Sequence, residues 1–156
     1  MFGNATMAAS IMVADLDGSD GFTVRGVDER DELGASVGGG DVNGDGYGDV
    51  IMGAKEGDGK NNAASSGGEV YVMLGKAGGF AATADAGGPG GFVLYGAQGG
   101  DQAGGSVAAG DVNGDGIDDI LVGAQFADGP SGSETFAGEV HVAFGRAAWP
   151  DSSETF

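Results

Sequence analysis

The chain has 156 residues, 24 of them acidic and 6 basic, and its formal net charge of −18 repels polyanions and gathers cations, which disfavours nucleic-acid binding. Its 40% hydrophobic content falls in short β-rich clusters, and no segment reaches the roughly 20 apolar residues of a membrane span, so one folded domain over 1–156 is predicted, without membrane insertion. There is no cysteine, which excludes disulfides and thiolate metal sites.

The N-terminal stretch MFGNATMAAS has no positive region followed by a long apolar core, so no export signal is legible in it. A first strand is expected at about 22–26, then strands near 35–38, 50–54, 70–74 and 92–95, rich in Val and Ile and fenced by Gly, Asp and Asn. No convincing helix is read. From residue 91 the sequence returns on itself at an offset of 70: DVNGDGYGDVIMGA at 41–54 recurs as DVNGDGIDDILVGA at 111–124, and GEVYVMLGK at 68–76 as GEVHVAFGR at 138–146. Repeat one therefore runs over about 33–96 and repeat two over about 103–146, with a short tail at 147–156.

Four short antiparallel strands per repeat predict an all-β propeller of four-stranded blades. The leading strand, four strands of the first repeat and three of the second make eight, or two blades per chain, if the leading strand completes a blade left open at a chain end. Two blades cannot close a propeller, which needs roughly four to eight. Two arrangements follow: a homo-oligomeric ring of three or four chains, or part of a longer propeller.

The repeated loops carry the chemistry. Asp41, Asn43, Asp45 and Asp49 stand at positions 1, 3, 5 and 9, with the Tyr47 carbonyl at 7; Asp111, Asn113, Asp115, Ile117 and Asp119 repeat the set. Calcium takes six to eight hard oxygens, and alternate loop positions aim several at one point, so two calcium sites are predicted. An EF-hand is excluded, because position 12 is Met52 or Val122 in a β-rich run rather than a bidentate Glu before a helix. The bland alternative, a polar Asn-Gly or Asp-Gly turn, needs two such residues and not five spaced oxygens in each of two loops.

These motifs resemble the FG-GAP repeats of integrin α-subunit propellers and of bacterial cell-surface proteins. Leu33-Gly34-Ala35-Ser36-Val37 and Gly104-Gly105-Ser106-Val107 stand where the family has Phe-Gly-x-Ser-Val, and Gly53-Ala54 and Gly123-Ala124 where it has Gly-Ala-Pro. Leu33 and Ala103 replace the motif Phe, and Lys55 and Gln125 the motif Pro, which leaves the calcium ligands intact. The resemblance implies that each calcium loop joins strands one and two of a blade, that ligands meet the opposite face, and that the protein is extracellular or at the cell surface.

On that opposite face lie the loops 55–68 and 125–138, where the repeats differ most; they read as spacers, with Phe126 and Phe136 the candidate contact residues. His141, the only histidine, replaces Tyr71 and reads as structural, so no triad is available, and most of the abundant carboxylates read as calcium ligands or surface. Ser65, Ser66, Ser131 and Ser133 have nothing to orient them. Lys76 and Arg146 read as solvated strand ends, while Trp149 and Phe156 read as either a chain contact or part of a further segment. The expected function is non-enzymatic: a calcium-binding module for adhesion or for recognition of a protein or glycan, or else a purely structural unit.

Overall fold

A computed structural model describes residues 12–129, 134–149 and 154–155; Ser131, Ser133 and Phe156 lie outside the described residues. In chain order the strands are β1 (Thr23–Arg25), β2 (Ser36–Gly40), β3 (Asp49–Ala54), β4 (Glu69–Met73), β5 (Thr83–Asp85), β6 (Gly91–Tyr95), β7 (Ala103–Gly110), β8 (Asp119–Ala124), β9 (Glu139–Ala143) and β10 (Glu154–Thr155). The only helical turns among the described residues are single 3₁₀ turns at Val13–Asp15 and Lys60–Asn62.

The first repeat forms an antiparallel sheet in the order β2-β3-β4-β6, with β10 added in parallel beyond β6. The second repeat forms the antiparallel sheet β7-β8-β9. All-β architecture in antiparallel sheets of short strands fits a β-propeller, as the repeat predicts.

The leading segment departs from expectation. It does form a strand, but β1 pairs in parallel with β5, inside the connection between β4 and β6, rather than joining a four-stranded sheet. The reason is apolar cover: Phe22, Val24, Phe80 and Ala84 pack against Met52, Tyr71, Met73 and Val93 of the first sheet. The Phe22 and Phe80 rings meet at 4.5 Å between centroids.

Period-2 alternation sorts the first sheet into two buried faces. Met52, Tyr71 and Met73 meet the β1–β5 cover, while Ile51, Val70, Val72, Phe92 and Leu94 share one core with Ile120, Val122 and Ala124 of the second sheet. The sheets come close enough to require glycine, because a Cβ on Gly53 would fall on the Gly104 carbonyl. That carbonyl accepts a hydrogen bond from Ser36 Oγ at 2.7 Å. The outer face of the second sheet is uncovered among the described residues, and Val140, Val142 and Phe144 are exposed there.

Candidate calcium loops

Each aspartate-rich loop joins the first two strands of its sheet, β2 to β3 and β7 to β8. Curling the chain so tightly takes left-handed backbone at Gly44 (φ 70°) and Gly46 (φ 87°), and again at Gly114 (φ 81°) and Gly116 (φ 91°).

Loop amides converge on the predicted ligand side chains. Asp41 Oδ1 accepts from Asp45 N at 3.1 Å and Oδ2 from Gly46 N at 2.8 Å. Asn43 Oδ1 accepts from Asp45 N at 3.0 Å, and Asp45 Oδ1 from Tyr47 N at 2.8 Å. The second loop repeats the network: Asp111 accepts from the amides of Gly114, Asp115 and Gly116, Asn113 Oδ1 from Asp115 N at 2.8 Å, and Asp115 Oδ1 from Ile117 N at 2.9 Å. Tyr47 and Ile117 stand at the seventh position, where the main-chain carbonyl is the available oxygen.

Asp49 and Asp119 have a second task that sequence reading missed. Both are buried. Asp49 accepts from Val42 N at 2.8 Å and from Gly75 N, just past β4, at 2.7 Å; Asp119 accepts from Val112 N at 2.9 Å and Gly145 N at 2.8 Å. Each carboxylate thus ties the start of its loop to the end of the third strand. Burial pushes the Asp49 carboxyl above its ordinary range; the two amide bonds oppose that shift, and the charges of Asp45 and Asp41 add to it.

Among the described residues no three His, Cys, Asp or Glu side chains are already drawn together as a metal-holding group. The donor set nonetheless fits calcium. Every predicted ligand atom is a hard oxygen, each loop supplies three carboxylates, and a carboxylate oxygen bonded to one amide keeps a second lone pair. The Lys55 ion pairs go to Glu32 at 3.1 Å and Glu56 at 3.3 Å, away from the loops.

At the other end of the strands, the connections 55–68 and 125–138 share an internal staple: Asp58 accepts from Ser66 N at 3.0 Å and Asp128 from Phe136 N at 3.1 Å. Phe126 and Phe136 are exposed and meet edge to face, with centroids 5.5 Å apart. Outside the calcium loops, Asp31 and Glu69 are buried. Glu69 accepts from the Tyr71 hydroxyl, and burial pushes its carboxyl up, helped by the charges of Asp31, Asp28 and Asp58. His141, at the Tyr71 position, lies 3.5 Å from Glu139.

Lys76 and Arg146 are not simply solvated: Lys76 Nζ sits 5.1 Å from the Phe80 ring centre and Arg146 Cζ 4.3 Å from that of Trp149. Trp149 stacks on Phe92 at 4.2 Å, and its Nε1 donates to the Val42 carbonyl at 2.9 Å.

The FG-GAP repeat model matches the chain at residues 33–73 and 103–142, which together span just over half of it. The chain belongs to the FG-GAP repeat family. In this FG-GAP chain both matched segments contain the whole aspartate loop and the strands around it, the second ending one residue short of the end of β9. No curated protein matches the chain.

Proposed function

We propose that this FG-GAP chain is a non-enzymatic, calcium-braced β-propeller unit of an extracellular or cell-surface protein, serving adhesion or ligand recognition. The observation that carries the calcium reading is the loop network built twice from the same residues. Asp41, Asn43, Asp45, Tyr47 and Asp49 hold one ion, and Asp111, Asn113, Asp115, Ile117 and Asp119 the other. Calcium there neutralises crowded carboxylates and fixes the loop between the first two strands of each blade. Extracellular modules of this kind bind in the range of about 10⁻⁴ to 10⁻³ M, saturated outside cells and empty inside. Calorimetric titration should find two ions per chain; no heat in the millimolar range would refute the sites.

The recognition surface is the end opposite the calcium loops. Its exposed apolar contacts are Phe126 and Phe136, which suit a protein or glycan ligand. Binding to protein or glycan arrays that is lost in the Phe126→Ala, Phe136→Ala double variant would support this assignment, and binding that survives would move the ligand elsewhere.

A second reading, a purely structural assembly unit, is favoured by the face of the second sheet that is uncovered among the described residues. Val140, Val142 and Phe144 occupy the repeat positions of Val70, Val72 and Leu74, which pack against the next sheet. The fitting partner is therefore another blade, from further copies of the chain in a ring of three or four or from the rest of a longer propeller. The β1–β5 cover lies where a copy's open face would have to dock, which favours a blade lacking that cover over self-closure. Light scattering in calcium decides: a trimer or tetramer supports the ring, and a monomer supports the longer propeller.

A further inference from the structure

The two loops have nearly the same sequence but not the same surroundings. At Asp41 and Val42 the backbone of the first loop is held by the second half of the chain: Asp118 Oδ2 accepts from Asp41 N at 2.9 Å, and Asp118 N donates to the Asp41 carbonyl at 3.0 Å. The Val42 carbonyl accepts from Arg146 N at 3.2 Å and Trp149 Nε1 at 2.9 Å. The Ile117 side chain closes over Gly44, its Cγ1 3.1 Å from where a Cβ would stand. As a result Val42 is fully buried, whereas its counterpart Val112 is 57% exposed. Among the described residues Asp111 has no partner corresponding to Asp118.

Asp118 is also where the loops differ in charge, because the matching residue in the first loop is Gly48. A glycine there has no side chain to reach a neighbouring loop, so the clamp runs in one direction only.

Resting on the calcium reading above, we infer that the loops are unequal calcium sites, the first the tighter, and that Asp118 is the positioning residue that presets Asp41 for its ion. Asp41 is the ligand at position 1. With both main-chain groups of that residue fixed from the second loop, the backbone that carries its carboxylate loses less freedom on binding than the backbone of Asp111 does. Partners behind a metal ligand commonly change affinity about 10- to 100-fold. The acceptor matters more than the charge, since the contact is a hydrogen bond to an amide.

Calorimetric calcium titrations can separate the sites in two backgrounds: Asp115→Ala reports the first loop and Asp45→Ala the second. Adding Asp118→Gly, the residue that the first loop already carries at this position, should weaken the first loop about tenfold and leave the second nearly unchanged. Asp118→Asn keeps an acceptor and should retain most of the affinity. An unchanged first loop, or equal weakening of both loops, overturns the inference while the calcium reading stands. A wild-type chain that takes up no calcium overturns both. Circular dichroism of each variant in chelator should match that of its background; a lost β-sheet spectrum for Asp118→Gly would assign Asp118 to folding and overturn the positioning role.

Discussion

Val70 and Val140 are the same residue in the same motif, 70 positions apart, yet one is fully buried and the other 68% exposed. The first sheet is covered on both faces, by the second sheet on one side and by β1 and β5 on the other. Among the described residues the second sheet is covered on one face only. Burial in a repeat protein is thus a property of neighbours rather than of the repeat, as expected when each unit contacts only the units beside it. The same contrast separates the loops, since the first is clamped by Asp118 and the second is not.

Paired substitutions at equivalent positions test that contrast. The largest effect is expected at Gly53, where an added Cβ meets backbone: Gly53→Ala should cost about 3 kcal/mol in chemical denaturation. At Gly123 the added Cβ meets only Ser106 Oγ, a side chain on an exposed strand position, so Gly123→Ala should stay within about 0.5 kcal/mol of wild type. Equal losses would show that the outer face is packed in solution. Next comes Val70→Ala, at about 1.5–3 kcal/mol, against about 0.5 kcal/mol or less for Val140→Ala. A large loss at Val140 would mean that a partner covers that face.

The smallest effect concerns pH. Burial raises the Glu69 carboxyl, and Asp31 and Asp101 shift in the same direction for the same first cause. A carboxyl raised on folding contributes stability that is complete below its unfolded pKa and lost as pH rises through the folded value. In chelator the chain should therefore melt higher at mildly acidic pH than at neutral pH, and Glu69→Gln should flatten that slope. A melting temperature that rises toward neutrality would contradict the assignment.

Much of the architecture was legible in the sequence because the offset of 70 is a global signal: the strands of both repeats and the place of each aspartate loop between two strands follow from it. Three features were not. β5 is only Thr83–Asp85, too short to show alternation, and its pairing with β1 is a long-range event. The dual role of Asp49 and Asp119 was hidden because the bonds to Gly75 and Gly145 span 26 residues. Which face stays open cannot be read from Val70 and Val140, whose local sequences match. Asp118 did leave a signal, a charge at a loop position where the other repeat has Gly48, and its meaning needed the contact with Asp41.

Thermal unfolding in millimolar calcium and in excess chelator, at neutral pH, tests the brace most directly. At about tenfold saturation, which millimolar calcium reaches over a site of about 10⁻⁴ M, each bound ion adds roughly 1.4 kcal/mol, so two ions should raise the melting temperature by several degrees, and Asp45→Ala and Asp115→Ala should each remove part of the gain. Identical melting curves with and without calcium would contradict the account.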